Sequence, residues 1–401
     1  MNKLLQTILL AIFTALSFSA FIYFEEYELT NRLLNTLLGV SSLALFLYIP
    51  KRSVLLAGFL IGLLWFYWIG YSFEYQGVGF MTPIITLAFG VIYMLFFGVL
   101  ALTKEVYIRA ILLFGLSFFE PFDWNWLQIE LIFVDSYIGV LKYQLFLVLL
   151  SLSLPAYVPK AYKFAPLLLL LTTLQYSSAE LQEAPLKIKL VQTDVKQELK
   201  WLASSKNNLL MDNLQAIVSA IEEGYDVVVL PESVFPIFMN THPILQLQLR
   251  DMSQHISIVA GALLFEGKKN YNVTYFFENG NMQIAKKMVL VPFGEYIPLP
   301  KFARDFVNNT FFSGESDFLH ATEPTDFVIK GVKFRNAICY EATCQELYEG
   351  DVKYVIATSN NAWFAPSIEP TLQRLLMKYY ARKNGVIIYH SANWSGSGVV
   401  R

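Results

Sequence analysis

Cys339 closes the stretch Val332-Lys333-Phe334-Arg335-Asn336-Ala337-Ile338, which alternates and then turns apolar as a strand entering a sheet does, and the helix-like Ala342 to Tyr348 follows it. In an open α/β sheet, sites form beyond the carboxyl ends of strands, so a thiol in that place can meet a substrate. A lone cysteine is more often a small buried hydrophobe. Two further stretches change that weighting. Asp226-Val227-Val228-Val229-Leu230-Pro231-Glu232 is a short β-branched strand ending in a carboxylate, and Lys286-Lys287-Met288-Val289-Leu290-Val291 sets lysine ahead of a Pro/Gly-bounded loop. A free thiol has a pKa of about 8.5 and is mostly protonated at neutral pH, so a carboxylate base is needed to take its proton as it attacks a carbonyl. An ammonium then stabilises the oxyanion that develops on that carbonyl. Taken singly, Glu232 reads equally well as a helix N-cap, Lys287 as a solvated neighbour of Lys286, and Cys339 as core.

The order Pro231-Glu232, then Lys287-x-x-Leu290-Val291-Pro292-Phe293-Gly294-Glu295-Tyr296, then Cys339-Tyr340-Glu341, then Ser359-Asn360-Asn361-Ala362-Trp363-Phe364 resembles the nitrilase, or carbon–nitrogen hydrolase, superfamily. The Leu290 to Tyr296 loop and the hydrophobic half before it make the chain look, within that superfamily, like the bacterial apolipoprotein N-acyltransferase family. The likeness runs over nearly the whole chain. It implies Glu232 as general base, Lys287 as the oxyanion-stabilising lysine and Cys339 as nucleophile, and the Lys-x-x-Leu-Val-Pro spacing selects Lys287 over Lys286. It further implies that Glu295 supports these three, that Tyr340 and Glu341 adjoin the nucleophile, and that Trp363 lines the acyl-chain side, for which core packing is an equal reading.

The reaction implied by the resemblance is an acyl exchange. Cys339 takes the sn-1 acyl chain of a phospholipid, phosphatidylethanolamine being the expected donor, as a thioester. The α-amino group of an S-diacylglyceryl cysteine at a lipoprotein N-terminus then receives it as an amide. No cofactor and no metal are implied. Water must be kept from such a thioester, and Pro298 to Ser316, rich in Phe and Asn with Gly314, is the expected source of a lid. The four histidines, His242, His255, His320 and His390, have no metal-ligand spacing, and a Cys-His dyad with His320 or His390 is a minor alternative. A membrane-tethered nitrilase-type amidase or hydrolase is the alternative reading, with the same three residues and a different acceptor. A transporter or receptor with an outer sensor domain would need polar residues within its spans, and these are scarce.

The elements that must position these residues begin with the composition. The chain has 401 residues, 55% hydrophobic and only 15% charged, which marks a membrane protein rather than an ordinary soluble domain. A net charge of −2 gives no case for nucleic acid. Cys339 and Cys344 are too few for a disulfide scaffold and lack zinc spacing, although a bridge between them would consume the nucleophile. Candidate membrane spans are Leu4 to Phe24, Leu33 to Ile49, Val54 to Tyr71, Met81 to Leu102, Val106 to Phe119, Leu141 to Val158 and Phe164 to Tyr176, seven in all. A cleaved signal peptide fits the first poorly, because Phe18 stands where a small residue is wanted.

Loops after even-numbered spans carry Lys51 and Arg52, Lys104 with Arg109 nearby, and Lys160 and Lys163, and the N-terminus carries Lys3. Loops after odd-numbered spans carry Glu25, Glu26 and Glu28, then Glu74, then Glu120, Asp123 and Glu130, with Arg32 the exception. By the positive-inside rule the N-terminus is cytoplasmic and everything after Tyr176 is outside; the resemblance implies a multi-pass protein of the bacterial inner membrane with the catalytic domain periplasmic. Trp124 and Trp126, flanked by acids, read as an interfacial belt or as a wall of a lipid path; Lys142 reads as a lysine snorkelling from a helix end.

This divides the chain into a membrane domain at 1–176, a polar linker at 177–185 and an α/β domain at 186–401. In the last, strands are expected at Lys187 to Gln192, Val227 to Leu230, Ile256 to Ala260, Tyr271 to Phe277, Gln283 to Val289, Phe327 to Lys330, Val332 to Ile338, Tyr354 to Thr358 and Val386 to Tyr389. Helices are expected at Asn207 to Glu223, Ile244 to Ser253 and Thr371 to Asn384. The resemblance implies that they form a four-layer α-β-β-α sandwich, and that one more membrane helix follows the hydrolase-like half.

Overall fold

A computed structural model of the chain describes residues 2–75, 77–175, 181–267, 269–292, 294–296 and 319–401. Two compact units result, Met1–Ala179 and Glu180–Arg401. The expected lid, Pro298 to Ser316, lies outside the described residues.

The first unit is helical: α1 (Lys3–Glu26), α2 (Arg32–Tyr48), α3 (Lys51–Phe66), α4 (Thr82–Gly98), α5 (Val106–Leu116) and α6 (Lys142–Ser153). The Asn31 side chain caps α2 by accepting from the Leu34 amide at 3.0 Å. Three-residue-turn segments extend α3 (Tyr67–Phe73) and flank α4 (Gly79–Met81, Val99–Leu102). With them, three helical stretches are long and apolar enough to cross a membrane, Lys3–Glu26, Lys51–Phe73 and Gly79–Leu102. Arg32–Tyr48, Val106–Leu116 and Lys142–Ala156 are apolar but shorter. Pro155 ends the regular part of the expected sixth span, since a proline lacks the N–H that a helix interior needs. The seventh expected span appears as a tight 3-10 helix, Ala165–Thr173.

Helices α3 and α4 pack backbone to backbone. A Cβ built on Gly62 would lie 2.4 Å from the Phe89 carbonyl oxygen, so only glycine permits that approach. The rings of Trp124 and Trp126 are buried inside the unit, tilted against Trp68 with centroids 6.3 and 5.2 Å away. Lys142 does not simply snorkel: its ammonium pairs with the buried Glu130 at 2.6 Å.

The second unit contains two five-stranded sheets. The first runs β1 (Ile188–Leu190), β2 (Val227–Val229), β3 (Ser257–Glu266), β4 (Lys269–Glu278) and β5 (Asn281–Lys286) in sequence order, with β1, β2 and β3 parallel and the rest antiparallel. The second is built from β6 (Asp326–Ile329), β7 (Val332–Ile338), β8 (Tyr354–Asn360), β9 (Ile387–Asn393) and β10 (Gly398–Val400), ordered 10-9-8-7-6 with β7, β8 and β9 parallel. Strand periodicity explains the layering. Val227 and Val229 point into a core shared with Phe327, Phe334, Ile356 and Tyr389 of the other sheet, while Val228 and Leu230 point to the opposite face. There they meet Leu214 and Ile217 of α8 (Ala203–Glu222) and Leu249 of α9 (Pro243–Met252), preceded by the short α7 (Gln197–Lys200). The long α10 (Glu369–Asn384) packs on β9 and β10 of the second sheet, which completes an α-β-β-α sandwich.

Candidate active site

Cys339 is the first residue after β7 and sits at a φ of 55°, a left-handed turn that a non-glycine residue rarely adopts. Ser233, directly after Glu232, is held at a φ of 47°. Strain of this kind persists only where the surroundings over-determine it, and it concentrates at functional sites. Segment Cys339–Thr343 turns as a 3-10 helix, so the expected helix-like stretch is two short tight turns, with Gln345–Tyr348 the second.

Glu232 lies just past β2 and is 7% exposed. Its Oε1 accepts from Asn272 Nδ2 at 2.7 Å, and the Asn272 carbonyl in turn accepts from the Lys287 amide at 3.0 Å. One asparagine on β4 thereby fixes the carboxylate relative to the lysine. Lys287, 1% exposed, follows β5 and sets its Nζ 2.9 and 2.8 Å from the two oxygens of Glu295. Glu295 Oε2 also accepts from the Val291 amide at 2.9 Å, which holds the loop in register. Burial alone would drive the Lys287 ammonium toward neutrality, but the charges of Glu295, Glu232 and Cys339 outweigh it and hold its pKa above the usual lysine value.

Burial, and then the negative charge of Glu232, push the Cys339 thiol well up, with Lys287 the opposing influence. The resting thiol is therefore protonated, and attack needs a base. Among the described residues, both cysteines are free thiols. Cys344 is buried and donates its S–H to the Tyr340 carbonyl at 3.3 Å. Glu341 is a brace. One of its oxygens accepts from the Met288 and Val289 amides, the latter at 3.0 Å, and the other from the Ile338 amide at 2.6 Å. It ties the turn bearing the thiol to the segment bearing Lys287. Burial raises its pKa to about 7 against the pull of Lys287 and those three amides. Tyr340 is buried beside it, and Trp363 is half-buried.

Sequence reasoning missed three neighbours. Lys200, 3% exposed on α7, donates to the Glu232 carbonyl at 3.0 Å. Burial lowers its pKa to about 8 despite the charges of Glu232 and Cys339. Nearby, Asn360 donates from Nδ2 to Gln197 Oε1 at 2.9 Å and accepts from Asn393 Nδ2 at 2.8 Å. On α10, Gln373 Nε2 lies 3.7 Å from Cys339 Sγ, and Glu369 couples electrostatically to the thiol. The histidine alternatives find no support. His390 Nδ1 and Nε2 bond Gly396 O and Ser359 Oγ, both at 2.8 Å, and His320 turns to the Ala321 carbonyl at 3.0 Å.

A strand-end thiol, carboxylate and lysine on an α-β-β-α sandwich, joined to an apolar helical unit, define a carbon–nitrogen hydrolase domain carried by a membrane protein. Residues 188–398 match the carbon-nitrogen hydrolase family model, and residues 5–176 match that of the apolipoprotein N-acyltransferase integral membrane domain. The chain belongs to the apolipoprotein N-acyltransferase family. Proteins of that name from Wolinella succinogenes and Helicobacter hepaticus are 42% and 38% identical to it, over 98% and 94% of this chain and 95% and 96% of theirs. A third, from Helicobacter pylori, is 37% identical over 92% of this chain and 87% of its own. A crystal structure of a CN-hydrolase superfamily protein from Xanthomonas campestris covers 52% of this chain and 76% of that one at 15% identity, with a TM-score of 0.40.

Proposed function

We propose that the chain transfers an acyl chain from a phospholipid to the N-terminal amine of a lipoprotein through a thioester on Cys339. The supporting observation is that a half-buried thiol at a strained strand-end turn feels the charges of both Glu232 and Lys287. In this reading Glu232 takes the thiol proton as sulfur attacks the sn-1 ester carbonyl, and Lys287, anchored by Glu295, stabilises the oxyanion. The collapsing intermediate releases a lysophospholipid alkoxide, which recovers the proton from Glu232. The α-amino group of an S-diacylglyceryl cysteine then attacks the thioester, and the thiol returns. Tyr340 and Glu341 keep the nucleophile turn in place, and Trp363 lines the acyl chain. Phosphatidylethanolamine is the proposed donor.

Both substrates are membrane lipids, which accounts for an acyl-transfer domain being tied to an apolar helical unit. Seven crossings of the bacterial inner membrane, with the hydrolase-like domain on the periplasmic side, complete the proposal; the charge asymmetry of the loops supports it. In cells that depend on this protein, mass spectrometry should find lipoprotein N-termini triacylated. Finding only the diacylated form there would sink the proposal.

A further inference from the structure

The face of α10 that meets Cys339 carries Glu369 and Gln373, four residues apart and hence on one side of the helix. Gln373 is fully buried, with its Nε2 directed at Cys339 Sγ, yet among the described residues its Oε1 has no hydrogen-bond partner. Glu369 is 1% exposed, and its Oε2 is likewise without a partner among the described residues. Buried acceptors are nearly always paired, because an unpaired one forfeits the water it gave up. Two such atoms lie on one helix face, and the Gln373 amide reaches the reactive sulfur. Burial, reinforced by Glu232, holds the Glu369 carboxyl well above the usual range, so it adds no full negative charge next to the thiol.

The chemistry of the two substrates decides which one fits. At its reacting centre the acyl donor is an ester, which has only acceptor oxygens and leaves Gln373 Oε1 and the unprotonated oxygen of the neutral Glu369 carboxyl unanswered. The acceptor is a primary amine, and its N–H groups match two acceptor oxygens. We propose that Gln373 Oε1 and the unprotonated oxygen of the neutral Glu369 carboxyl form the docking point of the acceptor amine, holding its nitrogen by N–H···O bonds against the thioester carbon on Cys339. This rests on the acyl-transfer reading above and specifies where its second substrate binds. The nitrogen lone pair forms the amide bond, the C–S bond breaks, and one amine proton passes by way of Glu232 to sulfur, which leaves as the thiol.

The test uses the full-length protein in detergent with phosphatidylethanolamine and a synthetic diacylated lipopeptide bearing a free α-amino group. Lysophospholipid released without lipopeptide reports thioester formation; amide formed at rising lipopeptide concentration reports transfer. Glu369→Leu should raise the KM for lipopeptide by about tenfold or more, the scale on which a site built to hydrogen-bond its ligand discriminates, a larger change than any in the lysophospholipid burst. Glu369→Gln, which retains an acceptor oxygen, should restore most of the transfer. If Glu369→Leu does not fold, Gln373→Met carries the same comparison of lipopeptide KM. An unchanged lipopeptide KM, or a burst and a transfer that fall together without rescue by glutamine, overturns this site alone. A wild-type protein that forms thioester but never amide overturns the acyl-transfer reading and the site with it.

Discussion

Lys200 illustrates how a single side chain escapes a sequence reading. It stands in the polar run Lys196-Gln197-Glu198-Leu199-Lys200, where nothing in residue type separates it from Lys196 or Lys206. The short α7 turns Gln197 and Lys200, three residues apart, to the buried side, and that burial is what shifts the lysine. Glu232, Lys287 and Cys339 were legible because each follows a β-rich stretch and stands in a specific string. Lys200 has no such string. Its ammonium, 3.0 Å from the Glu232 carbonyl, is lost through a pKa of about 8. The sign follows from the lowered value. The folded chain gives up this proton before the unfolded chain does, so stability rises between pH 8 and the unfolded lysine value of about 10.4. Activity should move the other way. If the charge supports Glu232 and the thiolate, transfer falls along a basic limb centred near 8. Lys200→Arg, charged throughout, should push that limb upward, and Lys200→Met should lower the plateau about tenfold and abolish the limb. A pH–rate profile of Lys200→Met that matches the wild type would remove Lys200 from the mechanism.

At the scale of elements, the strands of the second unit were readable because alternation survives wherever one face is core. The extent of β3 was not. Expected at Ile256 to Ala260, it runs on to Glu266, since its antiparallel pairing with β4 carries it past the end of its parallel partner β2. That extension places Gly261 against the turn that carries Glu232. A Cβ there would come within 2.3 Å of the Ser233 amide nitrogen and 2.7 Å of the Glu232 Cα, both backbone atoms. Backbone cannot swing aside as a flexible side chain can, so Gly261→Ala must displace the strand end bearing the proposed base. The expected cost is about 1–3 kcal/mol of stability, with turnover lost disproportionately because a displacement of about 1 Å can cost on the order of a hundredfold in rate. Thermal unfolding in detergent, read beside the lysophospholipid burst, separates the two effects; a variant with a wild-type burst would show that the turn does not depend on this close approach. Neither the glycine nor Asn272, which bridges Glu232 and Lys287, carries any signal in sequence. Their importance arises only once strands distant in sequence become neighbours.

At the scale of the whole chain, the remaining question is which side of the membrane the hydrolase-like domain occupies. Loop charges gave one argument, and the hydrogen bonds of the first unit give a second. Ser53 Oγ reaches the Thr7 carbonyl at 3.0 Å, Lys51 Nζ the Leu102 carbonyl at 3.2 Å, Arg109 Nη1 the Ile49 carbonyl at 2.7 Å, and Tyr48 OH the Leu152 carbonyl at 2.9 Å. The start of α1, the α2–α3 junction, the loop before α5 and the end of α6 therefore gather at one end of the unit. These are the positions at which Lys3, Lys51, Arg52, Lys104, Lys160 and Lys163 cluster. Elsewhere, Arg32, the exception to the charge pattern, bonds the Ser136 carbonyl at 3.2 Å and lies over the Tyr137 ring at 4.8 Å, so its charge has partners within the protein. The gathered end is the basic one, which by the positive-inside rule supports the proposed cytoplasmic placement of that end. Helix lengths do not settle the number of crossings, because α5 and the 3-10 segment Ala165–Thr173 fall short of a bilayer core of about 30 Å. The number must nevertheless be odd if the hydrolase-like domain is to leave on the face opposite the N-terminus. A reporter that is active only outside the cytoplasm should therefore work when fused after Pro185 and fail when fused in the Pro159 to Lys163 loop. A cytoplasmic reporter should give the reverse. Activity of the outside reporter in the Lys160 loop, with silence after Pro185, would mean that one expected span does not cross, and the proposed periplasmic site would be lost with it.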